Sequence, residues 1–294
     1  MKRWTWPILI AGILILTACG SSSSEDSTQS VGSSYYIENK GSDTLVNLAL
    51  AWAERYQEEY PDIQISVTGG GSGTGFTALI NGTIDIANAS RQIKDLEIEQ
   101  AESAGFEPHE IIVANDAIGV IVNPENPVSE LTLDQVSRIY KGEINNWSEV
   151  GGEDRPIVRL SRETNSGTHV YFLETVIRLG DEEDTDIFSA DTLLLPSSEG
   201  IISEVSDNPN AIGYDGLGYI TDDVKTVALA SKEGRAYILP SAATVIDGTY
   251  PVSRSLYMYT RGEPEGIIKD YLEWILSSEA QEIVTDLGFV PILD

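Results

Sequence analysis

The chain has 294 residues, with 47 Asp plus Glu against 18 Lys plus Arg, a formal net charge of −29 and a single cysteine. Acidity of this size excludes nucleic acid as a partner, because phosphate backbones are met by a basic footprint. One cysteine excludes an internal disulfide, so core burial must hold the fold. An anion remains a possible ligand only where its site is locally positive and shielded from the acidic exterior.

In chain order the first feature is a secretory signal. Lys2 and Arg3 precede a short apolar run over residues 7–17, and LTAC ends at Cys19, the pattern of a charged start, an apolar stretch and small residues before a cleavage point. Ending at the chain's single cysteine, it resembles a bacterial lipoprotein signal, in which that cysteine is lipidated and becomes the first mature residue. The run is short for a membrane span. Residues 1–18 are therefore expected to be a signal peptide and Cys19 the lipidation site. Residues 19–34, GSSSSEDSTQSVGSS after the cysteine, are small, polar and free of aromatics, which predicts a flexible tether. Folding starts near Tyr35, and the remaining length predicts two lobes.

Beyond Tyr35, strand and helix patterns alternate. Residues 63–67 alternate as a half-buried strand, as do Ile84 and Ile86. Residues 111–113, 118–122, 157–160 and 256–259 read as further strands. Between them, Leu45, Leu48, Ala49, Trp52, Ala53 and Tyr56 form one helical stripe. A second helix is expected over 131–140, opened by Thr132 and closed by Gly142, and a third over 267–287, ended by Gly288. This alternation predicts an α/β fold with a largely parallel sheet. NPENP at 123–127 breaks structure and predicts a crossing between lobes, with the return crossing around 239–248.

The densest glycine cluster is GGGSGTG at 69–75. It fails as a Walker A loop and as a dinucleotide fingerprint, because Phe76 stands where each needs another residue. Its Ser-x-Thr unit recurs: Ser42-Asp43-Thr44, Ser72-Gly73-Thr74 and Ser166-Gly167-Thr168 each follow strand-like sequence and precede a helical pattern. A helix start offers unpaired N–H groups and about half a positive charge, serine and threonine add hydroxyl donors, and glycine admits a close ligand. Parallel sheets bring such turns to one edge. Arg91 in ANASR and Arg162 in SRETNSGT lie at matching positions, and guanidinium forks suit a tetrahedral oxyanion.

These segments, together with GSDT at 41–44, NDAIGVIVNPENP at 115–127, LTLDQVSRIYKGEINNW at 131–147 and EAQEIVTDLGFVPI at 279–292, resemble the phosphate-binding lipoproteins of bacterial ABC importers. The resemblance covers the whole mature chain. It implies a two-lobed type II periplasmic-binding-protein fold, each lobe a mostly parallel sheet flanked by helices, with the ligand cleft between them. Lobe 1 is expected over 35–124 plus 241–294, and lobe 2 over 125–240. It implies phosphate binding by Ser42, Asp43, Thr44, Ser72, Gly73, Thr74, Ser90, Arg91, Arg162, Ser166, Gly167 and Thr168. Some members place an aspartate where Arg91 stands, to accept the proton of hydrogen phosphate, and an acidic residue where Thr164 stands. Asp116 is the substitute acceptor expected here, its alternative role being an ion pair with Arg91 or Arg162.

The chain is thus expected to be a monomeric binding protein for inorganic phosphate that works with membrane permease subunits and touches the membrane through its lipid alone. No catalytic residue, metal or cofactor is expected. Sulfate, molybdate or tungstate as ligand, a secreted phosphatase and a phosphate sensor are the alternatives. Only His109 and His169 are available, with no H-x-x-H and no G-x-S-x-G elbow, and His169 is expected to be an exposed first-turn residue.

Overall fold

The computed structural model describes residues 35–292 apart from residue 182. The signal segment, Cys19 and the tether lie outside the described residues. β1 (Tyr35–Gly41) leads through a 3-10 turn (Asp43–Leu45) into α1 (Val46–Glu59), and β2 (Ile63–Thr68) leads into α2 (Ser72–Ile80). Next come β3 (Ile86–Ala89), α3 (Asp95–Ser103), β4 (Pro108–Val122), β5 (Glu130–Thr132) and α4 (Leu133–Tyr140). β6 (Val158–Arg162), α5 (Gly167–Phe172), β7 (Leu193–Leu195), α6 (Ser198–Asp207) and β8 (Ala211–Gly216) follow. The chain closes with β9 (Lys225–Thr226), β10 (Ala228–Ala230), α7 (Ala242–Ile246), β11 (Ser253–Arg261), α8 (Gly266–Ile275) and α9 (Ser278–Asp286).

The strand order is β2-β1-β3-β11-β4-β8-β6-β7, with β9 also against β4, while β10 and β5 pair separately. One arm, β2-β1-β3, is parallel. The other, β8-β6-β7, is parallel as well. β11 and β4 join them in antiparallel pairing, so the sheet is mixed rather than largely parallel. The two strands read at 111–113 and 118–122 are one strand. β4 pairs with β11 over 108–117 and with β8 over 118–122, and within the β11 pairing the register shifts at Leu256/Tyr257. The polar residues between the two apolar runs stay in the ladder because Asn115 and Asp116 find side-chain partners on β11.

Parallel strands need both faces covered. The stripe read on α1 covers one face of the first arm, and the Trp52 indole Nε1 donates to Ala280 O at 2.8 Å, tying α9 to it. Phe76 and Leu79 of α2 cover the other face with Tyr257 and Tyr259. In the second arm Tyr140, Trp147, Phe172 and Tyr214 fill the core, with the Phe172 and Tyr214 rings stacked at 3.6 Å. The INNW segment is a staple here: Trp147 Nε1 donates to Asn210 O at 3.0 Å, and Asn146 caps its turn by accepting from Ser148 N. The 267–287 pattern is broken into two helices, because Ser277 Oγ accepts from Ala280 N and caps a new start.

Candidate anion-binding site

β1 and β2 of one arm and β6 of the other each end in a Ser-x-Thr turn, and the structure brings those turns into contact. Thr44 Oγ1 and Thr168 Oγ1, from opposite arms, lie 2.9 Å apart. Ser42 Oγ donates to Ser90 Oγ at 2.9 Å, and Ser72 Oγ lies 3.4 Å from Ser90 Oγ while accepting from Ser90 N at 3.1 Å. Gly167 completes the cluster. A Cβ at this position would stand 2.4 Å from Ser72 Oγ and 2.5 Å from Ser90 Oγ. Every member is buried. Hydroxyls this dense in a dry interior must be hydrogen-bonded to something, and here they bond one another, the three serines within one arm and Thr44 with Thr168 across the two.

Other residues of the expected set are placed differently. Ser166 is the N-cap of α5 and accepts from Thr168 N and His169 N. Thr74 Oγ1 turns back to Gly70 O at 2.5 Å. The Gly73 amide donates to Asn165 O at 3.2 Å, and Asn165 Nδ2 donates to Gly70 O at 2.8 Å. Gly71, at φ 88°, would set a Cβ 2.7 Å from Asn165 O. The glycine-rich loop is therefore a seat for the peptide of the opposite arm, since no larger residue lets the two backbones approach so closely.

The arginines carry partners. Arg91 grips Glu97 bidentately, at 2.8 and 2.7 Å, and lies 4.8 Å above the Phe76 ring. Arg162 spans the arms: Nη2 donates to Asp43 Oδ2 at 2.7 Å and to Pro196 O at 3.0 Å, and Nη1 donates to Ser198 Oγ at 2.8 Å, with Asp215 Oδ2 at 3.9 Å. Asp43 is thus a clip rather than a donor, its Oδ1 accepting from Gly70 N at 2.9 Å. The Nε atoms of Arg91 and Arg162 are buried and lack a partner among the described residues.

A residue absent from the expected set stands at the centre. Arg254, on β11, faces Asp116 of β4 in the ladder. Its Nη2 and Nε donate to Asp116 Oδ2 at 3.0 and 3.3 Å, and its Nη1 donates to Ser90 O at 2.9 Å. Asp116 Oδ1 accepts from Leu217 N at 3.0 Å. The ion-pair partner of Asp116 is therefore neither Arg91 nor Arg162. The signal that could have found Arg254 is a lone arginine inside the apolar strand pattern of residues 252–259. His169 is likewise not exposed. It stacks on Phe188 at 4.5 Å, its Nδ1 lies 2.9 Å from Arg162 O, and burial lowers its pKa, because α5 packs its first turn inward.

Three guanidiniums thus stand among four carboxylates: Glu97, Asp43, Asp116 and Asp215. Burial raises the pKa of Asp116, opposed by Arg254. Burial also pushes Asp215 from the ordinary 3.8 to about 6, and its Oδ2 lacks a hydrogen-bond partner among the described residues. A raised carboxyl pKa means that the folded state holds the proton more tightly than the unfolded one. This contribution is present in full below pH 3.8 and is lost as pH rises through about 6. Asp215→Asn is expected to abolish that loss, worth about 3 kcal/mol, so that its thermal stability declines less than the wild type's between pH 4 and 6. Parallel melting curves for the two proteins would contradict the assignment. Among the described residues no group of His, Cys, Asp and Glu is placed to hold a metal ion.

Two helix-covered arms joined through two crossing strands, with donors meeting between them, define a binding-protein architecture, and residues 23–279 match the family model of the PBP superfamily domain. The phosphate-binding protein PstS of Pseudomonas aeruginosa is 35% identical over 278 residues, covering 89% of this chain and 84% of that one. PstS of Bacillus subtilis is 33% identical, covering 98% and 93%. A crystal structure of a phosphate ABC transporter substrate-binding protein from Clostridium perfringens, described as putative and containing bound phosphate, superimposes with a TM-score of 0.77 at 32% identity, covering 88% of this chain and 100% of that one. The chain belongs to the PBP superfamily and, within it, to the family of PstS phosphate-binding proteins.

Proposed function

We propose that this chain captures inorganic phosphate between two lobes, 35–124 plus 241–294 and 125–240, and delivers it to the permease of an ABC importer. It acts as an extracytoplasmic monomer tethered by a lipid on Cys19, and it catalyses nothing. The observation that carries the reading is the buried cluster of Ser42, Thr44, Ser72, Ser90 and Thr168 hydroxyls with the Arg254 guanidinium at the meeting of both arms. Charge-assisted hydrogen bonds to an anion are about twice as strong as neutral ones. Closure of two arms supplies them from both sides. The relatives named for phosphate support the choice of anion.

Calorimetric titration with phosphate, sulfate and molybdate tests the reading. Saturable binding of phosphate in preference to the others is expected, and a preference for sulfate or molybdate would replace it. Chromogenic phosphate esters are expected to release nothing, with or without divalent metal. Selectivity is assigned to Asp116. Hydrogen phosphate has a proton to share near a carboxylate, whereas sulfate at neutral pH leaves that carboxylate opposed. Asp116→Asn is expected to narrow the phosphate-over-sulfate preference by about tenfold. Unchanged selectivity in competition calorimetry would remove Asp116 from the recognition of the anion.

A further inference from the structure

We infer that Arg254 is a direct anion ligand, the cation on which both arms close; the inference rests on the phosphate-binding reading above. Its Nη2 lies 3.3 Å from Thr44 Oγ1 and 3.0 Å from Thr168 Oγ1, and those two oxygens are 2.9 Å apart. The three atoms form a triangle with sides of hydrogen-bond length, one corner from each arm and the third from the strand between them. An anion oxygen that receives both threonine hydroxyls must sit over this triangle, and so within reach of Nη2. A guanidinium Nη carries two hydrogens, yet Nη2 faces three acceptors: Thr44 Oγ1, Thr168 Oγ1 and Asp116 Oδ2. When the threonines turn their hydrogens to an incoming anion, Nη2 can do the same and keep its bond to Asp116.

The position is built for a fixed charge. Arg254 is 7% exposed. Asp116, its ladder partner, holds Nε and Nη2, Ser90 O holds Nη1, and the Tyr171 ring lies 5.6 Å from Cζ. Tyr171 is itself anchored, its hydroxyl donating to Ser253 O at 2.5 Å. The other two guanidiniums have their terminal nitrogens engaged by Glu97 and by Asp43. Arg254 also lies on neither helix turn. It belongs to β11, which pairs with β3 on one side and with β4 on the other, in the antiparallel pair that joins the two arms.

The test is phosphate titration of four forms of the full chain: wild type, Asp116→Asn, Arg254→Gln and the double variant. Arg254→Gln leaves Asp116 buried without its cation, which is expected to destabilise the fold. The double variant removes both charges and keeps the side-chain shapes. Phosphate affinity in the double variant is expected to fall by about tenfold to a hundredfold relative to Asp116→Asn, the effect of losing a hydrogen bond to a charged group. Equal affinity in those two would overturn the inference, because Arg254 would then only neutralise Asp116. Absence of phosphate binding in the wild type would instead overturn the phosphate reading, and the inference with it.

Discussion

Arg162→Ala is expected to weaken phosphate binding by about tenfold to a hundredfold, the loss of one hydrogen bond between charged groups at about 1.5–3 kcal/mol. Arg162 is 1% exposed, and it ties Asp43 of one arm to Ser198 and Pro196 of the other. Its Nε, buried and unpartnered among the described residues, is the donor it has free for an anion. The substitution also strands Asp215, which is fully buried, so the unliganded protein is expected to melt earlier as well. Removing one partner from a buried pair costs about 3–5 kcal/mol. Calorimetry below the melting transition, with circular dichroism on the same sample, separates the two effects. Wild-type affinity in a folded Arg162→Ala protein would remove the residue from the site.

Gly167→Ala tests closure rather than charge. Gly167 is the first residue of α5, where alanine is welcome and stabilises by about 0.4–1 kcal/mol through the unfolded state. The conflict lies across the arms, against Ser72 Oγ at 2.4 Å and Ser90 Oγ at 2.5 Å. Overpacking of this kind costs about 1–3 kcal/mol, which predicts phosphate affinity lower by about tenfold to a hundredfold without a lower melting temperature. Small-angle scattering is expected to show less compaction on adding phosphate than in the wild type. Unchanged affinity would mean that the arms do not need to meet as closely as Thr44 and Thr168 do here.

Much of this arrangement was legible because its parts are local. The α1 stripe needs only the 3.6-residue period, and it lands on the residues that cover the first arm. The three Ser-x-Thr turns need only a strand, a cap and a helix, and the structure packs Thr44, Ser72, Gly167 and Thr168 against one another. What was not legible depends on partners far away in sequence. Arg254 lies 138 residues from Asp116 and 210 from Thr44, and its one local signal, a lone arginine in an apolar strand pattern, does not say which residues it meets. Arg91 looked available because Glu97, six residues on, reads as an ordinary helical acid until the chain turns it back. The carbonyl that takes up the Gly73 amide comes from Asn165, on a loop whose reach no local pattern encodes. The split of the C-terminal pattern into α8 and α9 was visible in principle, in Ser277 and Ser278, but the apolar periodicity runs through it.

A crystal structure of the protein with phosphate tests the central claim most directly. The account predicts one tetrahedral anion between the arms, with oxygens about 2.6–3.1 Å from the hydroxyls of Thr44, Ser72 and Thr168 and from at least one guanidinium. An anion bound to one arm alone, or with Thr44 and Thr168 still bonded to each other, would contradict it.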